Sequence, residues 1–143
     1  MDDKICELPR GYRPSKAEQF MSNFQREYFR RKLVKWKGHI LRETEYAMKC
    51  IQEEGKDGAD SADLASTETG LTYGLRSKER AHRLINKIDA ALQKIKNGTY
   101  GYCEETGEPI SLDRLKARPV AMLSIEAQER HEKKERTQSD DDE

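Results

Sequence analysis

The chain has 143 residues, 38% charged and 34% hydrophobic, and its 27 basic and 27 acidic side chains cancel to zero net charge. That balance argues against a dedicated nucleic-acid binder, which carries a basic excess, and points to a protein as the direct partner. No stretch approaches the ~20 apolar residues of a membrane span, no signal-peptide core opens the chain, and the scattered Cys6, Cys50 and Cys103 make no disulfide framework; the expected setting is the cytoplasm.

Residues 1–14 hold Pro9 and Pro14 and predict an irregular lead. Ser15-Lys-Ala-Glu18 then has the form of a capping box, which predicts a helix from there to about Glu54. Phe29, Leu33, Trp36, Ile40, Ala47 and Cys50 follow alternating spacings of four and three, with Glu43 as the polar interruption. That is a coiled-coil seam. "EEGKDGADSADLAS", residues 53–66, breaks it, and Asp60 or Ser61 is placed to cap the next helix. The second helix runs to Asn97, with Leu71, Ile85, Ile88, Leu92 and Ile95 on its seam and the weaker Gly74 and Lys78 among them. Gly98 stands at the helix-stop position. Two such helices joined by a short polar loop run antiparallel, as a rod ~50 Å long. The thin seam near its tip predicts a loosely held distal third.

Residues 99–127 read as a compact head, with Phe20, Met21, Phe24 and Tyr28 packed onto it. "YGYCEETGEPISLDRLKARPVAMLSIEAQ", residues 100–128, has the rhythm of a zinc ribbon but contains one cysteine, Cys103. Thr106, Ser124 and Ala127 stand where paired ligands would be expected. A lone thiolate makes no tetrahedral zinc site; a buried, inert Cys103 is the default. Residues 126–136 suit a short helix, and the acidic 137–143 predict a disordered tail. The expected organisation is a lead and helix packing on the head over 1–28, a coiled coil over 29–98 with its acidic tip at 55–66, the head over 99–127, and a C-terminal helix and tail over 128–143. The fold class is mostly α.

Besides Cys103, two constellations carry possible chemistry. Glu53, Glu54, Asp57, Asp60 and Asp63 crowd the rod tip; turns collect such residues anyway, and the functional alternative is a probe carrying negative charge. Arg80, Lys87, Arg114, Lys116 and Arg118 surround the base of the rod; a solvated face is the default and a phosphate site the alternative. His39, His82 and His131 have no local nucleophile partner, and no Gly-rich phosphate loop occurs, so no enzyme is expected.

The segments "EQFMSNFQREYFRRKLVKW", "DSADLA", "RLINKIDAALQKIKNGTYGYCEETG" and "LKARPVAMLSIEAQ", in this order, resemble the bacterial DksA/TraR family of transcription factors over nearly the whole chain. Asp60, Asp63 and Ala65 match the family's Asp-x-x-Asp-x-Ala tip. The resemblance implies a non-catalytic regulator that binds RNA polymerase directly and inserts its coiled coil through the secondary channel. It implies modulation of initiation at ribosomal RNA and amino-acid promoters together with the alarmone guanosine tetraphosphate (ppGpp), as a monomer and without sequence-specific DNA binding.

Two departures stand out. The family's four zinc cysteines correspond to Cys103, Thr106, Ser124 and Ala127, which implies a ribbon scaffold kept without zinc. The family's ppGpp-binding residues match Arg80, Leu84, Lys87 and Arg118, but a further lysine corresponds to Gln128. A Gre-type transcript-cleavage factor has a similar rod and acidic tip and is the leading rival. A thiol-based redox sensor using Cys103 is the second.

Overall fold

The computed structural model describes residues 4–56 and 61–141. Four helices follow in chain order: α1 Asn23–Lys56, α2 Ser61–Asn97, α3 Leu112–Ala117 and α4 Ile125–Asp141. The described residues contain no strand, only an isolated antiparallel bridge between Tyr102 and Pro109. The chain divides into two compact units. One comprises Met1–Leu33 and Ala90–Glu143, the head unit; the other is Val34–Asp89, the helical-pair unit.

In the helical-pair unit the two helices run antiparallel. Lys37 near the start of its α1 portion pairs with Asp89 at the end of its α2 portion, at 2.7 Å. Ile40 and Ile88 are its buried large apolar side chains. The seam does not follow the predicted four-three alternation throughout. Ala47 is exposed, whereas Thr44 and Met48 are half-buried. Beyond Ile40 the inward line therefore continues by steps of four, and Glu43 stays in solvent, where its charge needs no desolvation. Leu71 is exposed rather than buried, while Gly74 is buried.

In the head unit Phe29, Leu33, Ala91, Ile95, Tyr100, Ile110, Leu112, Leu115 and Val120 are buried together. Burying large apolar side chains contributes ~1.5–3 kcal/mol each before entropy is subtracted. The helix end at Asn97 is a Schellman stop. The N–H groups of Gly98 and Thr99 donate to the carbonyls of Ile95 and Lys94, and Gly98 adopts φ 81°. Gly101, at φ 91°, is needed for a second reason. A Cβ there would lie 3.0 Å from Met21, which packs flat on it. Phe20 meets Tyr102 edge-on at 5.5 Å, and Phe29 lies 5.6 Å from Tyr100.

Four expectations need correction. α1 starts at Asn23, not near Ser15. The Glu18 carboxylate does accept from the Ser15 N–H, but around a turn, and the Ser15 hydroxyl accepts from the Ala17 N–H rather than from Glu18. The working cap is Ser22, whose hydroxyl accepts from the Gln25 N–H and whose carbonyl accepts from the Arg26 N–H. The connection between the long helices is shorter than residues 53–66: α1 continues to Lys56 and α2 is under way at Ser61. The C-terminal helix begins at Ile125. It also continues through 137–141, which the acidic composition had assigned to a disordered tail.

Candidate functional site

The zinc-ribbon positions do converge in the head. A tight hairpin carries Cys103: its N–H donates to the Glu108 carbonyl at 2.8 Å, and the Gly107 N–H donates back to its carbonyl at 2.9 Å. Its side chain is 3% exposed. Burial pushes the thiol up. Hydrogen bonds from the Thr106 side chain and from the backbone N–H groups of Ser124, Thr106 and Glu105 outweigh that and bring it down to about 6. The site thus stabilises a thiolate with peptide dipoles.

The other three positions have different work. Ser124 caps α4: its hydroxyl accepts from the Ala127 N–H and its carbonyl from the Gln128 N–H. Ala127 is a fully buried methyl in the first turn of that helix. Thr106 is exposed, and its hydroxyl accepts from the Glu108 N–H. One thiolate, two hydroxyls engaged with the backbone and a methyl do not fit a structural zinc ion.

What closes the head instead is a polar lattice that the hydrophobic pattern gave no hint of. Glu27 is fully buried and accepts from Arg30, Arg31 and the Ile5 N–H, tying the N-terminal segment to α1. The Arg30 hydrogen bond above all holds its carboxyl down at about 2, against its burial. Gln25, also fully buried, donates to the Ser15 carbonyl and to Glu18 and accepts from the Met21 N–H. Glu18 in turn accepts from the Tyr12 hydroxyl at 2.7 Å. Burial, and then that bond to Glu18, push the Tyr12 phenol up to about 12. Across the head, Lys94 pairs with Glu104 at 2.6 Å, and Glu105 takes both Arg130 and His131 from α4.

Of the matched ppGpp residues, Arg80, Leu84 and Lys87 lie on successive turns of α2 in the helical-pair unit. The two cations are exposed and Leu84 is half-buried. Arg118 and Gln128 belong to the head unit. Arg118 is exposed just beyond α3, with its N–H on the Arg114 carbonyl at 2.7 Å. Gln128 is half-buried in α4 and donates to Glu132. At the tip, Asp60 lies outside the described residues. Asp63 and Ala65 are in the opening turns of α2, with their side chains outside the described part. Among the described residues no three His, Cys, Asp or Glu side chains form a metal-binding group, and no helix is long and apolar enough to cross a membrane.

Residues 25–95 match the family model of the DnaK suppressor protein DksA, N-terminal domain. Residues 98–133 match the prokaryotic dksA/traR C4-type zinc finger. The chain belongs to the DksA/TraR family. It is 54% identical over 130 residues to the RNA polymerase-binding transcription factor DksA of Caulobacter vibrioides, covering 91% of this chain and 92% of that protein. It is 34% identical over 115 residues to the protein of the same name from Escherichia coli K12, covering 80% and 76%. Transcription factor DksA2 from Pseudomonas aeruginosa superposes with a TM-score of 0.77 at 41% identity, covering 86% of this chain and 93% of that structure. The family fold is therefore carried by a head in which three of the four cysteine positions hold other residues.

Proposed function

We propose that this protein is a non-catalytic transcription factor that binds RNA polymerase directly and modulates initiation. The observation that carries this reading is 54% identity, across nine-tenths of both chains, to a protein named for polymerase binding. The helical pair is the part that enters the secondary channel. Two helices side by side are only ~20 Å across, a section thin enough to reach a recessed active centre. Asp60 and Asp63 act there, and Ala65 sets the shape of the tip. The protein works as a monomer in the cytoplasm and does not read DNA sequence.

ppGpp is the co-regulator in this reading. By the family resemblance, Arg80, Lys87 and Arg118 are the cations for its phosphates, Leu84 is an apolar contact, and Gln128 is the uncharged residue that replaces a family lysine. Charge-assisted hydrogen bonds are worth roughly 1.5–3 kcal/mol each, so three cations give useful affinity for a polyanion without the missing lysine.

The head holds no structural zinc in this account, since its donor set is one thiolate, two hydroxyls and a methyl. Purified protein should bind core RNA polymerase and alter multi-round transcription from a ribosomal RNA promoter, more strongly with ppGpp. A protein that neither binds polymerase nor changes initiation contradicts the reading. A chelator should leave its melting temperature unchanged. One tightly held zinc per chain would overturn the metal-free head.

A further inference from the structure

Arg118 sits on a connection whose peptide groups are tied on both sides. Its own N–H donates to the Arg114 carbonyl at 2.7 Å, and its carbonyl accepts from the Ala121 N–H at 3.0 Å. Two side chains from elsewhere in the head unit reach the flanking carbonyls. Lys32 Nζ, from α1, donates to the Lys116 carbonyl at 2.7 Å. The Tyr100 hydroxyl, from the segment after α2, donates to the Pro119 carbonyl at 2.8 Å in a buried bond. Pro119 restricts the residue before it to extended backbone, and Arg118 has φ −139° and ψ 87°. The Arg118 guanidinium makes no hydrogen bond or ion pair among the described residues.

Packing alone does not call for these two polar groups. The Tyr100 ring fills space against Phe29, which a phenylalanine would do equally. Lys32 is half-buried and places its ammonium on a carbonyl rather than an acid. An apolar chain of that length would fill the same volume without desolvating a charge. What the ammonium and the hydroxyl add is fixed positions for the carbonyls at 116 and 119, which bracket Arg118.

We infer that Lys32 and Tyr100 are positioning residues for Arg118, holding the 116–119 backbone so that the guanidinium is presented in one place to a phosphate-bearing ligand. The gain is preorganisation: a donor already held in place loses less conformational freedom on binding. This rests on the reading of Arg118 as a ppGpp contact.

The test uses the full chain with RNA polymerase and titrates ppGpp in a transcription assay. Tyr100→Phe and Lys32→Met should each raise the ppGpp concentration for half-maximal effect by roughly 3–10-fold. In an Arg118→Ala background neither should raise it further, because the group they position is gone. Hydrogen exchange on the free proteins gives a second readout: the Arg118 and Ala121 amides should exchange faster in both variants. A midpoint shift of equal size with and without Arg118, no shift at all, or unchanged exchange at those amides would overturn the positioning role. If Arg118→Ala moves the midpoint and the other two do not, only this inference falls. If Arg118→Ala itself leaves the midpoint unmoved, the ppGpp role of Arg118 falls and this inference with it.

Discussion

The two units are stabilised in different ways. In the head unit most large apolar groups are closed off, with Phe24 and Ile125 the main exceptions, and buried polar groups such as Glu27 and Gln25 have several partners each. In the helical-pair unit Leu41 is 50% exposed, Tyr46 72% and Tyr73 70%. A groove of about 630 Å3, lined by Leu41, Thr44, Leu75, Ala81 and Ile85, leaves part of its apolar surface in contact with solvent. The difference teaches where rigidity is made. In the proposed metal-free head many specific bonds have to stand in for a metal cage, since structural zinc alone supplies ~10–16 kcal/mol in small peptides. A helical pair depends on the packing of its two amphipathic faces, so a sparse seam leaves it the less tightly held of the two units.

The largest test of this contrast is a pair of truncations. Phe29→Ala in the head should cost about 3–5 kcal/mol, while Leu41→Ala in the helical pair should cost less than ~1 kcal/mol because half of that side chain already faces water. Chemical denaturation of both variants measures it; equal losses would erase the distinction.

A second, smaller effect isolates the polar lattice. Glu27→Gln keeps the shape but removes the charge that Arg30 and Arg31 bind, and should cost about 2 kcal/mol at neutral pH. The carboxyl is held at about 2, below its ordinary 4.5. Its contribution is therefore fully present above pH 4.5 and fades as pH falls towards 2. The stability gap between wild type and variant should close across that window. A gap that persists at pH 2 would mean that packing, not charge, is what Glu27 supplies.

A pH dependence sharpens the account of the hairpin that carries Cys103. With the Cys103 thiol held at about 6, below its ordinary 9.0, the folded state binds fewer protons than the unfolded one between those values. Stability should rise with pH from 6 to 9, by at most about tenfold in the folding equilibrium per pH unit. Cys103→Ala should flatten that slope. A slope unchanged by the substitution would show that the peptide N–H groups around Cys103 do not stabilise a thiolate.

The two long helices were legible from the sequence because their apolar periodicity is long and the Asn97-Gly98 stop is unambiguous; the short α3 was not, since six residues carry too little periodicity. The start of α1 was not. Ser15-x-x-Glu18 and Ser22-x-x-Gln25 both fit a capping box, and what separates them is tertiary: Gln25 and Glu27 are buried only because the N-terminal segment folds back over them. The zinc-ribbon positions could be named from resemblance, yet their new tasks could not. The cap at Ser124 has a local signal, a serine opening a helical segment. The bonds of Lys32 and Tyr100 to carbonyls at 116 and 119 have none, because they join residues 84 and 19 positions apart.

The central claim is that the protein binds polymerase broadly but acts through its acidic tip. Asp63→Asn keeps the size of that side chain and removes its charge. The most direct measurement compares this variant with wild type for polymerase affinity and for its effect on a ribosomal RNA promoter in the same reaction. The account predicts affinity within about twofold, less than ~0.5 kcal/mol, together with loss of most of the transcriptional effect. Full retention of that effect, or its loss only in step with lost affinity, would contradict it.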